Sequence, residues 1–223
     1  MRIVLKAVFL DWYGTLSTSH FLGHWAREGH PQRGAYKGLQ EWWHAPESQI
    51  FLDGWLRGRY DAEGFIDEIA GHLGLSREFV ASELEESYRQ WTLLEPETKS
   101  LLAELRRRGV RVVLATDNVD ACIRWAIPAL GLQDSFDDVL SSHEIHLFKG
   151  EVDSAGRSGF FLPYLEKHGI GPGESALIDD SIGLAETVER TGIRFLHAPH
   201  GTGPRAHLRA LLAEVSDGTR AGS

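Results

Sequence analysis

Short apolar runs, separated by amphipathic stretches, give the outline of the chain. Residues 3–10 form an apolar run that predicts a buried strand, and it stops abruptly at Asp11 and a turn containing Gly14 and Thr15. The pattern then changes. Between residues 20 and 93 no stretch reads as a strand. Residues 61–73 place Phe65, Ile66, Ile69, Ala70 and Leu73 at helical spacing behind an aspartate N-cap. A second helix, opened by Ser76, runs to about Trp91 with Phe79, Val80, Leu84 and Tyr88 on one side. Residues 25–55 are rich in glycine and tryptophan and carry a weaker helical pattern.

After a linker at Leu94-Glu95-Pro96, a helix over 97–108 opens a regular alternation. Strands are predicted at 110–115, 138–141, 175–178 and 193–196. Helices are predicted at 119–130, 159–167 and 182–191, with a last one from Pro204 to about Val215. Strands alternating with helices of this length predict an α/β fold, a parallel sheet covered on both faces. The expected organisation is a core of residues 1–18 and 94–215, a helical insertion of residues 19–93, and a polar tail of residues 216–223.

Composition narrows the class without naming a chemistry. The 223 residues carry a formal charge of −9, which argues against a nucleic-acid or anionic-membrane partner. Arg106, Arg107 and Arg108 read as the last turn of a helix, where positive charge suits the dipole. The single cysteine, Cys122, excludes an internal disulfide and fits a reducing compartment. No stretch approaches the roughly 20 apolar residues of a membrane span, and no secretory signal is legible, so the expected setting is cytoplasmic. Oligomeric state is not legible.

The chemistry lies in what ends the strands. The first ends in Asp11, the second in Thr116-Asp117-Asn118 and the fourth in Asp179-Asp180-Ser181. In an open parallel sheet, ligands bind outside the carboxyl ends of the strands. One rim thus receives a lone carboxylate, a hydroxyl and a carboxylate pair. Asp11 is placed to attack an electrophile and form an aspartyl intermediate. Asp179 and Asp180 beside it would hold Mg2+ through hard oxygen ligands. Carboxylates gathered without a cation would repel one another. The Thr116 hydroxyl is a donor for a phosphoryl oxygen, and Lys149 a counter-charge for nucleophile and substrate, with Arg157 as the alternative. Arg27, Arg33, Arg57 and Arg59 are candidates for gripping an anionic substrate from the helical insertion.

Taken together, Asp11-Trp12-Tyr13-Gly14-Thr15, Thr116, Lys149 and Asp179-Asp180 resemble the haloacid dehalogenase superfamily of hydrolases over nearly the whole chain. The resemblance implies a Rossmann-like core, a helical cap after the first motif, an aspartyl nucleophile at Asp11, and Mg2+ bound by Asp11, Asp179, Asp180 and the backbone carbonyl of Tyr13. Thr15 and Asn118 join Thr116 and Lys149 as expected phosphate contacts, and the expected substrate is a small anion.

One position departs from the family's phosphatases. Two residues after the nucleophile they carry a second aspartate, which protonates the leaving oxygen. Here it is Tyr13, as in the family's metal-free 2-haloacid dehalogenases, whose halide leaving group needs no proton. The acidic pair, which those enzymes are not expected to carry, points back toward Mg2+ and phosphoryl transfer. Three readings therefore stand: a Mg2+-dependent hydrolase of a small phosphorylated compound, a 2-haloacid dehalogenase, and a fold member that binds without turnover. His143 and His146 lack a third ligand in the sequence and read as loop residues.

Overall fold

A computed structural model describes residues 4–220, with side chains described to residue 215. Its centre is a five-stranded sheet in the order β3-β2-β1-β4-β5. The strands are β1 (Ala7–Leu10), β2 (Arg111–Thr116), β3 (Asp138–Ser141), β4 (Ser175–Asp179) and β5 (Arg194–His197), and every neighbouring pair is parallel. The α/β expectation holds. Side chains alternate across the pleat, so both faces must be covered. Val8, Leu10, Val112, Leu114, Ala176 and Ile178 enter one apolar cluster, whereas Ala7, Phe9, Val113, Ala115 and Leu177 enter the other.

β1 is shorter than the 3–10 run. Lys6 still accepts from the Arg111 N–H (2.8 Å) and donates to the Glu174 carbonyl (2.7 Å), so the ladder frays gradually; residues 1–3 lie outside the described part. The strand order reverses at β1, with β2 on one side and β4 on the other, and Leu10 is in register with both Leu114 and Ile178. That switch point brings three strand ends together.

Helices α1 (Arg33–Trp43), α2 (Pro46–Leu56), α3 (Ala62–Leu73) and α4 (Arg77–Arg89) fill the segment after β1, preceded by a single 3-10 turn at Gly23–Ala26. Asp61 and Ser76 cap α3 and α4 by accepting from the Gly64 and Phe79 N–H groups. The tryptophan-rich stretch is helical, in line with its weaker pattern. Its aromatics make a core of their own, with Trp55 stacked on Phe65 at 3.9 Å and Phe21 edge-on to Phe65 at 5.3 Å. Glu83 of α4 accepts from the fully buried Trp25 indole (2.6 Å) and pairs with His24 (2.9 Å). Glu83→Ala is expected to leave that indole unpaired and cost about 1–3 kcal/mol, read as a lower urea midpoint at unchanged slope.

The remaining helices are α5 (Thr98–Arg107), α6 (Ile127–Ala129), α7 (Ser142–Ile145), α8 (Leu162–Lys167), α9 (Ala185–Arg190) and α10 (Arg205–Arg220). Three departures from the expected boundaries have local causes. The helix expected over 119–130 widens to a π turn at Cys122–Ala126 before α6. Pro128 has no N–H to return to the preceding turn, which disfavours a regular ladder there. α8 begins only at Leu162, beside Pro163, because Pro suits a first turn. α10 continues to Arg220, past the Val215 at which apolar spacing stops. The expected polar tail therefore begins as helical backbone, and residues 221–223 lie outside the described part. No helix among the described residues is long and apolar enough to cross a membrane.

Candidate active site

Asp11 follows directly on β1, its N–H donating to the Ile178 carbonyl of β4 (3.0 Å). The chain then turns sharply. Gly14 has φ +86°, and a Cβ there would overlap the carboxylate of Asp180 and the ring of His200. Gly14→Ala is thus expected to displace Asp180 and destabilise the fold by more than about 1 kcal/mol, read as a lower urea midpoint.

Lys149 arrives from the loop after α7 and stands between two carboxylates. Its Nζ lies 2.7 Å from Asp11 Oδ1 and 2.5 Å from Asp179 Oδ2. All three are buried: Lys149 is 3% exposed, Asp11 5% and Asp179 0%. The Lys149 N–H donates to Asp117 Oδ1 (3.0 Å), which ties this loop to the end of β2. Asp179 Oδ1 accepts from the Ser181 N–H (2.8 Å), while Asp180 Oδ2 accepts from His200 Nδ1 (2.7 Å) and Oδ1 from the Ser181 hydroxyl (3.2 Å). Asp11, Lys149, Asp179 and Asp180, predicted from three separate segments, therefore come together.

Charge in this cluster does not balance. Asp11, Asp117 and Asp179 surround one ammonium, and Asp180 stands beside Asp11 and Asp179. Burial pushes the Asp11 carboxyl up to about 7 against the pull of Lys149, and Asp179 adds to the rise. Burial likewise raises Asp117, again opposed by Lys149. Desolvation works to neutralise Lys149, but Asp11, Asp179 and Asp117 together outweigh it and hold the ammonium above its usual range. Carboxylate oxygens of Asp11, Asp179 and Asp180 lie within 4.8 Å of one another. Three hard oxygen donors with surplus negative charge fit a divalent cation such as Mg2+. Beside them, the hydroxyls of Thr15 and Thr116 are buried without a hydrogen-bond partner among the described residues, which fits a bound anion.

Other predicted residues fall differently. Tyr13 is 39% exposed, and its hydroxyl shares a 3.0 Å hydrogen bond with His20 Nε2. Burial, and then Asp180, raises the phenol above its usual range. Asn118 uses its Oδ1 to accept from the Val119 N–H (2.9 Å). Arg157 is paired with Glu166 on the surface, so Lys149 rather than Arg157 meets Asp11. Arg57 forks onto Glu151 (2.6 and 2.9 Å) and lies over the Phe148 ring, Arg27 reaches Gln90, and Arg33 and Arg59 are exposed. His143 and His146 donate to the Tyr60 and Arg57 carbonyls (3.0 and 2.6 Å), fastening the helical segment to the sheet. Sequence reasoning missed His20, His197 and His200. His197 ends β5 and donates to the Asp180 carbonyl (3.0 Å), so the loop after the last strand belongs to the same rim.

A cavity of about 480 Å3 opens between this rim and the helical segment. Phe21, Tyr36, Trp43, Trp55, Tyr88 and Trp91 supply most of its ring surface, and Tyr13, Asp117 and Asn118 lie at its core side.

Residues 5–186 match the haloacid dehalogenase-like hydrolase family. The chain belongs to that family. A phosphoserine phosphatase of Thermus thermophilus is 27% identical over 176 residues, which is 79% of this chain and 62% of that protein, so the chain spans less than two thirds of that relative. A HAD-like family hydrolase of Porphyromonas gingivalis superposes with a TM-score of 0.66 at 19% identity over 94% of this chain and 98% of that one. A HAD family enzyme of Bacteroides thetaiotaomicron, in complex with magnesium and inorganic phosphate, gives 0.65 at 19% identity, covering 88% and 96%. The L-2-haloacid dehalogenase of Xanthobacter autotrophicus, with chloropropionic acid covalently bound, gives 0.58 at 22% identity, covering 87% and 78%. For this haloacid dehalogenase-like hydrolase, likeness at such identities concerns the fold, and the choice between phosphate and halide rests on the site.

Proposed function

We propose that the protein is a Mg2+-dependent hydrolase of a small phosphorylated compound, with Asp11 as nucleophile and the helical segment 19–93 as a cap over it. The observation that carries this reading is the trio Asp11, Asp179 and Asp180, whose oxygens lie within 4.8 Å. Mg2+, held by these carboxylates and the Tyr13 carbonyl, would supply a positive centre that draws the phosphoryl group and offsets its charge.

Each residue then has a task. Lys149 keeps Asp11 oriented and screens it from Asp179. A carboxylate oxygen of Asp11 attacks phosphorus while the bond to the leaving oxygen breaks, giving an aspartyl phosphate. Thr15 and Thr116 donate their unpartnered hydroxyls to phosphoryl oxygens, with Asn118 beside them. Water then attacks the phosphorus, restores Asp11, and passes its proton to the departing phosphate. Tyr13 supplies no carboxylic acid for the first step, so about 10²–10⁴ of general-acid assistance is absent, and a leaving group that departs without a proton suits the site. The Thermus phosphatase and the magnesium and phosphate complex of the Bacteroides enzyme support phosphate chemistry. The lone buried Cys122 suits a reducing, cytoplasmic setting.

Tyr13 and the Xanthobacter neighbour favour a second reading, dehalogenation of a 2-haloacid. Such a substrate carries a carboxylate, and among the described residues no lysine or arginine lines the cavity to receive it. Phosphate chemistry is therefore preferred. Inorganic phosphate from acetyl phosphate and chloride from 2-chloropropionate are the two products to measure, each with Mg2+ and with EDTA. Phosphate release that EDTA abolishes is expected, and metal-independent chloride release would overturn the reading.

A further inference from the structure

Two observations outside the phosphate-handling residues limit what can be attached to the phosphate. The first is the wall of the 480 Å3 cavity. Seven phenyl, phenol or indole rings, two histidines (His20 and His44) and three leucines, Leu39, Leu52 and Leu56, line it. Among the described residues Asp117 is its one carboxylate, and that group is already bonded to the Lys149 N–H. Among the described residues no guanidinium or ammonium lines the cavity: Arg57, Lys37 and Arg89, each next to a lining residue in sequence, are paired with Glu151 and Asp53, with Glu41 and with Glu85. A ligand arm bearing a carboxylate would be desolvated there without a lysine or arginine partner, which is costly. A flat apolar arm would bury its surface against rings, and a volume of this order holds a fused or single ring system.

The second is the position two residues after Asp11. It holds a phenol engaged with His20 rather than a carboxylic acid, so an alkoxide leaving group has no positioned proton donor. Aliphatic alcohols are roughly as weak acids as water, whereas phenols lie near 10. A phenolate is therefore much the better leaving group as a free anion.

We propose that the natural substrate class is the phosphate monoester of a phenol, its ring held by Phe21, Trp43 and Trp91 and its charge confined to the phosphoryl group. This rests on the phosphatase reading above. In the step concerned, an Asp11 oxygen bonds to phosphorus, the phosphorus–aryl oxygen bond breaks, and its electron pair leaves on the aryloxide, which later takes a proton from water. Hydrolysis of the aspartyl phosphate by one water then yields dihydrogen phosphate and the free carboxylate. The likeness to a phosphoserine phosphatase would thus stop at the phosphate, because among the described residues no lysine or arginine lines the cavity to receive an amino acid's carboxylate.

Turnover of 1-naphthyl phosphate, 2-phenylethyl phosphate, O-phosphoserine and acetyl phosphate by the full chain with Mg2+ tests this. The naphthyl ester is expected to exceed both alkyl esters at least 100-fold in kcat/KM. Trp43→Ala is expected to raise KM for the naphthyl ester roughly tenfold with a smaller change in kcat, and Trp43→Phe to restore it. Trp43 is only partly buried, so the fold tolerates the change. Phosphoserine or the phenylethyl ester turned over as well as the naphthyl ester would overturn the proposal, as would a KM indifferent to Trp43→Ala. Cleavage of acetyl phosphate with the naphthyl ester inert would overturn it while leaving the phosphatase reading intact. No phosphate release from any of the four would remove that reading, and the proposal with it.

Discussion

Asp11→Asn is expected to reduce phosphate release by about 10⁴-fold or more while leaving the protein folded. The loss is large because the carboxylate is consumed and regenerated in each cycle, so removing it removes the pathway rather than one contact along it. The fold should survive for reasons visible in the cluster. Asparagine matches aspartate in size, and Lys149 keeps its 2.5 Å partner Asp179. The replaced carboxylate is buried and raised to about 7, so its charge is held there against a desolvation cost that the amide does not carry. Melting of the variant in the absence of metal should fall at or slightly above that of the parent. Residual turnover within tenfold of the parent would contradict a nucleophilic Asp11.

Lys149→Met is expected to act the other way, on stability as much as on rate. It leaves Asp11 and Asp179 facing each other without a counter-ion in a site almost closed to water. Breaking a buried ion pair by removing one partner costs on the order of 3–5 kcal/mol. In a chain of this size that lowers the melting temperature by roughly 10 °C. Mg2+ should recover part of the loss, since it supplies positive charge to the same oxygens, whereas the parent should gain less. Arg157→Ala serves as the contrast. Its partner Glu166 is exposed, and the change should stay within about 0.5 kcal/mol. Equal effects of the two substitutions would show that Lys149 does not carry the charge balance of the site.

Much of this was legible in the chain because two signals coincide at each strand end. β2 and β4 are runs of β-branched and aliphatic residues that stop at a polar residue, so element and site are read together at Thr116 and at Asp179-Asp180. Asp11 is legible for the same reason. Lys149 was visible only as a lysine in the right loop; its selection over Arg157 required knowing that α7 and its left-handed His146 cap turn the chain back toward β1. His20, His197 and His200 carried no local signal: His20 meets Tyr13 only because the chain turns back within seven residues, and His197 and His200 reach Asp180 from the end of β5 and the loop after it. The tryptophan-rich stretch hid its helices because Trp42, Trp55 and Phe65 pack around one another, and periodicity reads a face turned to a distant core better than one shared among neighbours. The π turn before Pro128 was hidden too, because helix propensity does not distinguish it from an ordinary turn.

The most direct test of the account is mass spectrometry of the Asp11 peptide after acid quenching during turnover of acetyl phosphate with Mg2+. A phosphoryl adduct on Asp11 that is absent with EDTA, and absent in Asp11→Asn, is the predicted result. Phosphate release under these conditions with no adduct on Asp11, or an adduct formed from 2-chloropropionate without metal, would contradict it.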